Sequence, residues 1–170
     1  MAAALVETIV VGTNALQTRL GAEGFAWTEP ARAATDECLL ECVIFQWFLL
    51  DVAMSAETGS QAESVRRALS GRLLIDLQRS GLAVESLDGF ERRCRERFAE
   101  YAEALEASSS LQPLGALAWR RISGRDEPSE RMTMLLAIRA RAELMRLHDV
   151  AQNHPTVDPP RTPLPVPDQF

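Results

Sequence analysis

Residues 36–54 read DECLLECVIFQWFLLDVAM, and the way this stretch folds decides the architecture of the chain. At 100° per residue, Glu37, Glu41, Ile44, Phe48, Asp51 and Ser55 fall on one narrow stripe. Almost everything outside the stripe is apolar except Gln46 on the opposite side. A helix patterned in this way needs protein on nearly every side. Full burial of about five or six of its large side chains, at roughly 1.5–3 kcal/mol each, would outweigh what any comparable window of the chain can contribute. The expectation is a central hydrophobic helix against which the remaining helices pack.

The stripe sets a second expectation. Carboxylates buried without partners lose hydration worth several kcal/mol, so Glu37, Glu41 and Asp51 must meet water, arginine or another subunit. Ile44 and Phe48 lie between them and gain nothing from water. An apolar centre inside a charged rim is the anatomy of an association surface, and two-fold pairing is the commonest form of self-association. Glu37, Glu41, Ile44, Phe48 and Asp51 are therefore the candidate interface residues of a homodimer, or of a complex with another protein.

On the N-terminal side, Leu5, Ile9, Leu16 and Leu20 share one face of a helix over 2–20 that ends near Gly21 and Gly24. Thr28, followed by Glu29 and Pro30, is an N-cap signal for the second helix, which runs to about Ser55. Ser60 with Glu63 spells a capping box for a third helix, carrying Val65, Leu69, Leu73 and Leu77 inward and ending at Ser80 and Gly81. Asp88 with Glu91 repeats that spacing ahead of Phe90, Cys94, Phe98, Tyr101 and Leu105. This fourth pattern is the most clearly amphipathic, and its other face is a solvated ladder of glutamates and arginines.

A short fifth helix is expected over 114–122, between Pro113 and Gly124. The sixth follows Pro128 and runs to about residue 151. It places Met132, Leu136, Leu147 and Val150 on one line and Leu135, Ile138, Ala142 and Met145 on a second, a wide apolar arc that predicts two neighbours. From His154 the prolines of PTVDPPRTPLPVPDQF exclude a helix and predict an extended arm. No segment alternates at period two, so strands are not expected. The fold class is all-α: a single-domain bundle of five or six helices over residues 1–153, with a proline-rich tail over 154–170.

Composition narrows the function classes. At 170 residues the chain suffices for one domain that buries about 70% of its unfolded surface. All eighteen basic residues are arginine, a habit that fits a GC-rich bacterial source. The net charge of −6 equals the deficit of residues 1–58, which carry eight acids and two arginines, and such a chain is repelled by phosphate backbones. Three cysteines without a C-x-x-C pair argue for a reducing compartment, and the cytoplasm is the expected location. The N-terminus has no basic n-region and carries Glu7, against a secretory signal. Only nine uncharged residues separate Glu41 from Asp51, against the roughly 20 that a bilayer needs, so no membrane partner is expected.

No constellation points to catalysis. Glu37 and Glu41, one turn apart, resemble half of a di-metal carboxylate site, but no Glu-x-x-His is present and the only histidines are His148 and His154. Cys38, Cys42 and Cys94 read as small buried hydrophobes. Neither a nucleophile elbow nor a glycine-rich phosphate loop occurs, so no catalytic residue, metal or cofactor is expected. Residues 69–98 offer a helix-turn-helix image in which Arg92, Arg93, Arg95 and Arg97 could meet phosphates, yet Glu91, Glu96 and Glu100 are interleaved among them. Pro160 and Pro163 give the arm one P-x-x-P spacing. The expectation is a non-enzymatic cytoplasmic bundle that acts through protein–protein association. A bundle binding an apolar small molecule is the alternative, and a DNA-binding regulator is a third reading.

Overall fold

Apolar residues at three- and four-residue spacing fill the chain between its glycine, proline and serine breaks, and helices form in those intervals. The computed structural model describes residues 2–23, 25, 32–58, 62–81, 86–127 and 129–153. These residues form six helices and no strand: α1 (Ala2–Ala22), α2 (Arg32–Thr58), α3 (Ala62–Arg79), α4 (Leu87–Glu106), α5 (Gln112–Ser123) and α6 (Glu130–Asn153). The expected cap at Thr28, the capping box at Ser60 and the proline-rich arm lie outside the described residues.

α2 packs against α1, α4, α5 and α6, while α1 also meets α3, and α4 meets both α3 and α5. Every residue of α2 from 40 to 50 is buried, including Phe45, Trp47, Leu49 and Leu50. Such all-round burial explains why α2 has no single apolar face. The remaining helices bring the faces their periodicity marks: Ile9, Leu16 and Leu20 from α1, Leu69, Leu73 and Leu77 from α3, and Phe90, Cys94 and Tyr101 from α4. Aromatic rings lock α2 to α4. Trp47 stacks on Phe90 at 6.1 Å and meets Phe98 edge-on at 5.3 Å, and Phe45 and Phe48 both contact Tyr101, at 5.4 and 5.3 Å.

α5 and α6 make the most intimate pair, and one glycine permits it. A Cβ on Gly115 would lie 2.4 Å from the Thr133 carbonyl oxygen and 2.9 Å from the Ala137 amide nitrogen. Both are backbone atoms, so any side chain there would push the two helices apart. Gly124 closes α5 at φ 63°, the left-handed geometry that a residue without Cβ adopts without strain.

One expectation is corrected here. The cap of α4 is Ser86, whose Oγ accepts from the Gly89 amide at 3.4 Å; Asp88 instead sits in the first turn, where its charge favours the helix dipole. α6 has two neighbours, α2 and α5, as its wide arc predicts. Its line through Met132 and Leu136 is buried against the bundle, joined by Ala140 and Glu143. On the second line Leu135 packs partly against the core, while Ile138 and Met145 are each 62% exposed. The periodicity marks the apolar side chains, but it carries no information on how far along each line the neighbouring helices reach. The side chains of Val65, Leu147 and Val150 lie outside the described ones.

Candidate functional site

The five residues of the candidate interface face the chain's own neighbouring helices. Ile44 is fully buried and Phe48 nearly so, packed on Phe98 at 5.6 Å and on Tyr101. They belong to the intrachain core, which corrects the expectation that they form an exposed association patch. Sequence spacing showed that apolar and acidic residues share this stripe, but not that α4 supplies the matching arginines.

Those arginines answer the charge problem one by one. Glu37, at the exposed end, accepts from Arg93. Glu41, only 2% exposed, receives the Arg97 Nε proton on both carboxylate oxygens, at 3.0 and 3.1 Å. Arg97 also donates to Glu100 at 3.4 Å, and Glu100 accepts two bonds from Arg121 of α5, at 2.6 and 3.0 Å. At the far end Asp51 takes a two-pronged contact from Arg66 of α3, at 2.6 and 2.8 Å. One acid stripe on α2 is thus stitched to α3 and α4, and through Glu100 to α5. Arg93 and Arg97, two of the arginines in the helix-turn-helix image, are committed inside the bundle.

Burial raises the Glu41 carboxyl above the ordinary glutamate value, and the Arg97 guanidinium, with its hydrogen bond, only partly pulls it back. By linkage, a carboxyl whose folded value lies above its unfolded one, near 4.5, stabilises the fold fully below 4.5, and that contribution is lost as pH rises through the folded value. The stability of the wild type relative to Glu41→Gln is therefore expected to increase as pH falls from neutrality toward 4.5. Urea melts of both proteins across that window measure it; a difference that is flat or of opposite slope would contradict the assignment.

Burial likewise pushes up the thiols of Cys38 and Cys42, and neighbouring carboxylates add to the effect, so neither is poised as a thiolate. Among the described residues no group of three or more histidine, cysteine or acidic side chains could hold a metal ion. None of their helices is long and apolar enough to cross a membrane.

Two concave surfaces open at the edge of the core among the described residues. The first is a cleft of ≈740 Å³ where the Asp51 end of the stripe opens between α2, α3 and α4, with Trp47, Phe48 and Phe98 in its wall and Arg66, Arg67 and Arg95 around it. The second is a groove of ≈860 Å³ between α1 and α6. Val11, Ala15, Thr18 and Ala22 recur along one line of α1, the last three lining the groove, and Met134, Leu135 and Ile138 line it from α6. Arg131 pairs with Glu23 at one end. No family model matches the chain. No curated protein or solved structure is significantly similar to it either. Function must therefore be argued from these two surfaces.

Apart from Phe48 and Asp51 of the candidate interface, Cys94, and Arg95 of the helix-turn-helix image, no residue lining these surfaces stands among the site candidates that the sequence suggests. The apolar line of α6 through Ile138 and Met145 is the signal that points to one of them, and exposure is what periodicity does not supply.

Proposed function

We propose that the protein acts by associating with a second copy of itself through the outer face of α6. The observation that carries this reading is the exposed apolar row on that helix, where Met134 is 45% exposed and Ile138 and Met145 are 62% exposed. Single exposed apolar residues are ordinary on protein surfaces, but three on one helical line beside an apolar groove form a patch.

Charge complementarity favours a second copy as the occupant. Arg131, Ile138 and Met145 recur every seven residues, with Met134, Ala142 and Asp149 interleaved, a row about 27 Å long at 1.5 Å per residue. In a two-fold antiparallel contact centred between Ile138 and Ala142, Arg131 of one copy, which also keeps Glu23 of its own chain as a partner, lies level with Asp149 of the other. Arginine at the start of a helix and aspartate near its end oppose that helix's own dipole, whereas they complement an antiparallel neighbour. The apolar row between them then becomes the dry centre. The cysteines, which are thiols and not disulfides, support a cytoplasmic setting for this association.

Light scattering tests the proposal. Wild type is expected to run as a dimer, and Ile138→Asp as a folded monomer with unchanged circular dichroism, because Ile138 contributes little to the intrachain core. A wild type that is monomeric at all accessible concentrations, or a folded dimeric variant, would overturn it.

A further inference from the structure

The cleft between α2, α3 and α4 is remote in sequence and surface from the α6 row. We infer that it binds a small hydrophobic carboxylic acid that also carries a hydrogen-bond donor. Its volume of ≈740 Å³ lies in the range typical of small-molecule sites. Phe98, which is partly exposed, supplies the aromatic surface of the cleft with Val52, Ala99 and Ala102 beside it, and is held rigid from behind by edge-on contacts with the buried Trp47 and Phe48, at 5.3 and 5.6 Å. Rigid rings present apolar area that a ligand can cover without ordering the protein further.

The charges select the ligand's headgroup. Three arginines, Arg66, Arg67 and Arg95, line the cleft against two acids, Asp51 and Glu91, which leaves one positive charge in excess on a chain whose net charge is −6. Arg66 is engaged by Asp51. Arg67 and Arg95 have no carboxylate partner among the described residues, and both are exposed, so they stand where an entering anion meets them. A guanidinium binds a carboxylate through paired, charge-assisted hydrogen bonds, which makes a carboxylic acid the fitting class and an amine the wrong one. Glu91 adds the second requirement. Its Oε1 is buried without a hydrogen-bond donor, and a hydroxyl on the ligand would supply one.

Three probes on the intact chain separate these contributions: ω-hydroxydodecanoate, dodecanoate, and the uncharged dodecanediol, followed by calorimetry and tryptophan fluorescence. The hydroxy acid is expected to bind one to one, about tenfold or more tighter than either of the other two, a difference of about 1.4 kcal/mol. In the double variant Arg67→Gln with Arg95→Gln, both at exposed positions, the advantage over the diol should vanish while the affinity for the diol stays the same. Circular dichroism of that variant confirms that it is folded. Equal binding of hydroxy acid and diol by the wild type, retention of the advantage by the folded double variant, or no binding of the hydroxy acid at its solubility limit would each overturn the carboxylate assignment. Equal binding of hydroxy acid and dodecanoate would overturn the donor requirement.

Discussion

Replacing Arg97 by methionine is expected to cost about 3–5 kcal/mol of folding stability at neutral pH, the range seen when one partner of a buried ion pair is removed. The substitution keeps an unbranched apolar stem but takes away the donor that covers both oxygens of Glu41. Glu41 is 2% exposed and cannot recover water by rotating outward while α2 stays packed among its neighbours. Arg93, the next cation on α4, already serves Glu37. The loss then has a pH signature. Without Arg97 the Glu41 carboxyl rises further, so the deficit should be full at neutral pH and shrink as acid protonates the group. Adding Glu41→Gln to Arg97→Met should restore much of the stability, since an amide is far less costly to bury than an unpaired carboxylate. Chemical denaturation of the single and double variants measures this; a loss under about 1 kcal/mol for Arg97→Met would mean that Glu41 has another source of solvation.

Trp47→Ala is expected to cost a similar amount, about 3–5 kcal/mol, through lost apolar transfer and the cavity left behind. The ring is 3% exposed and lies between Phe90 and Phe98, so its removal strips one face from each and loosens the seam of α2 against α4. The cavity would open beside the cleft and could take in water, which would moderate the cost without abolishing it. A loss below about 1 kcal/mol in denaturant melts would show that this seam does not carry the core. The two substitutions act on the same pair of helices through different physics, one electrostatic and pH-dependent, the other apolar and nearly indifferent to pH. Their separation on a pH series is itself a check on the account of the α2–α4 interface.

Much of the fold is legible in the residues alone. Periodicity marks the helices; Gly124 and Pro113 in the first turn of α5 mark boundaries; and the run through Phe45, Trp47, Leu49 and Leu50 demands all-round burial, because so much apolar surface on consecutive positions has no outward side to turn to water. These are local properties, and local sequence determines them.

Which helix covers which face is not local. The stripe of Glu37, Glu41, Ile44, Phe48 and Asp51 reads equally well as a surface awaiting a partner or as a seam with acids needing bases, since both burials satisfy the same physical requirement. Arg93 and Arg97 lie 56 positions away in sequence, and only the docking of α4 on α2 brings them to Glu37 and Glu41. The same holds on α6. Ile138 and its neighbour in the chain, Ala137, differ in exposure, 62% against 6%, because α2 and α5 pack on one side of α6 while an open groove separates the other from α1.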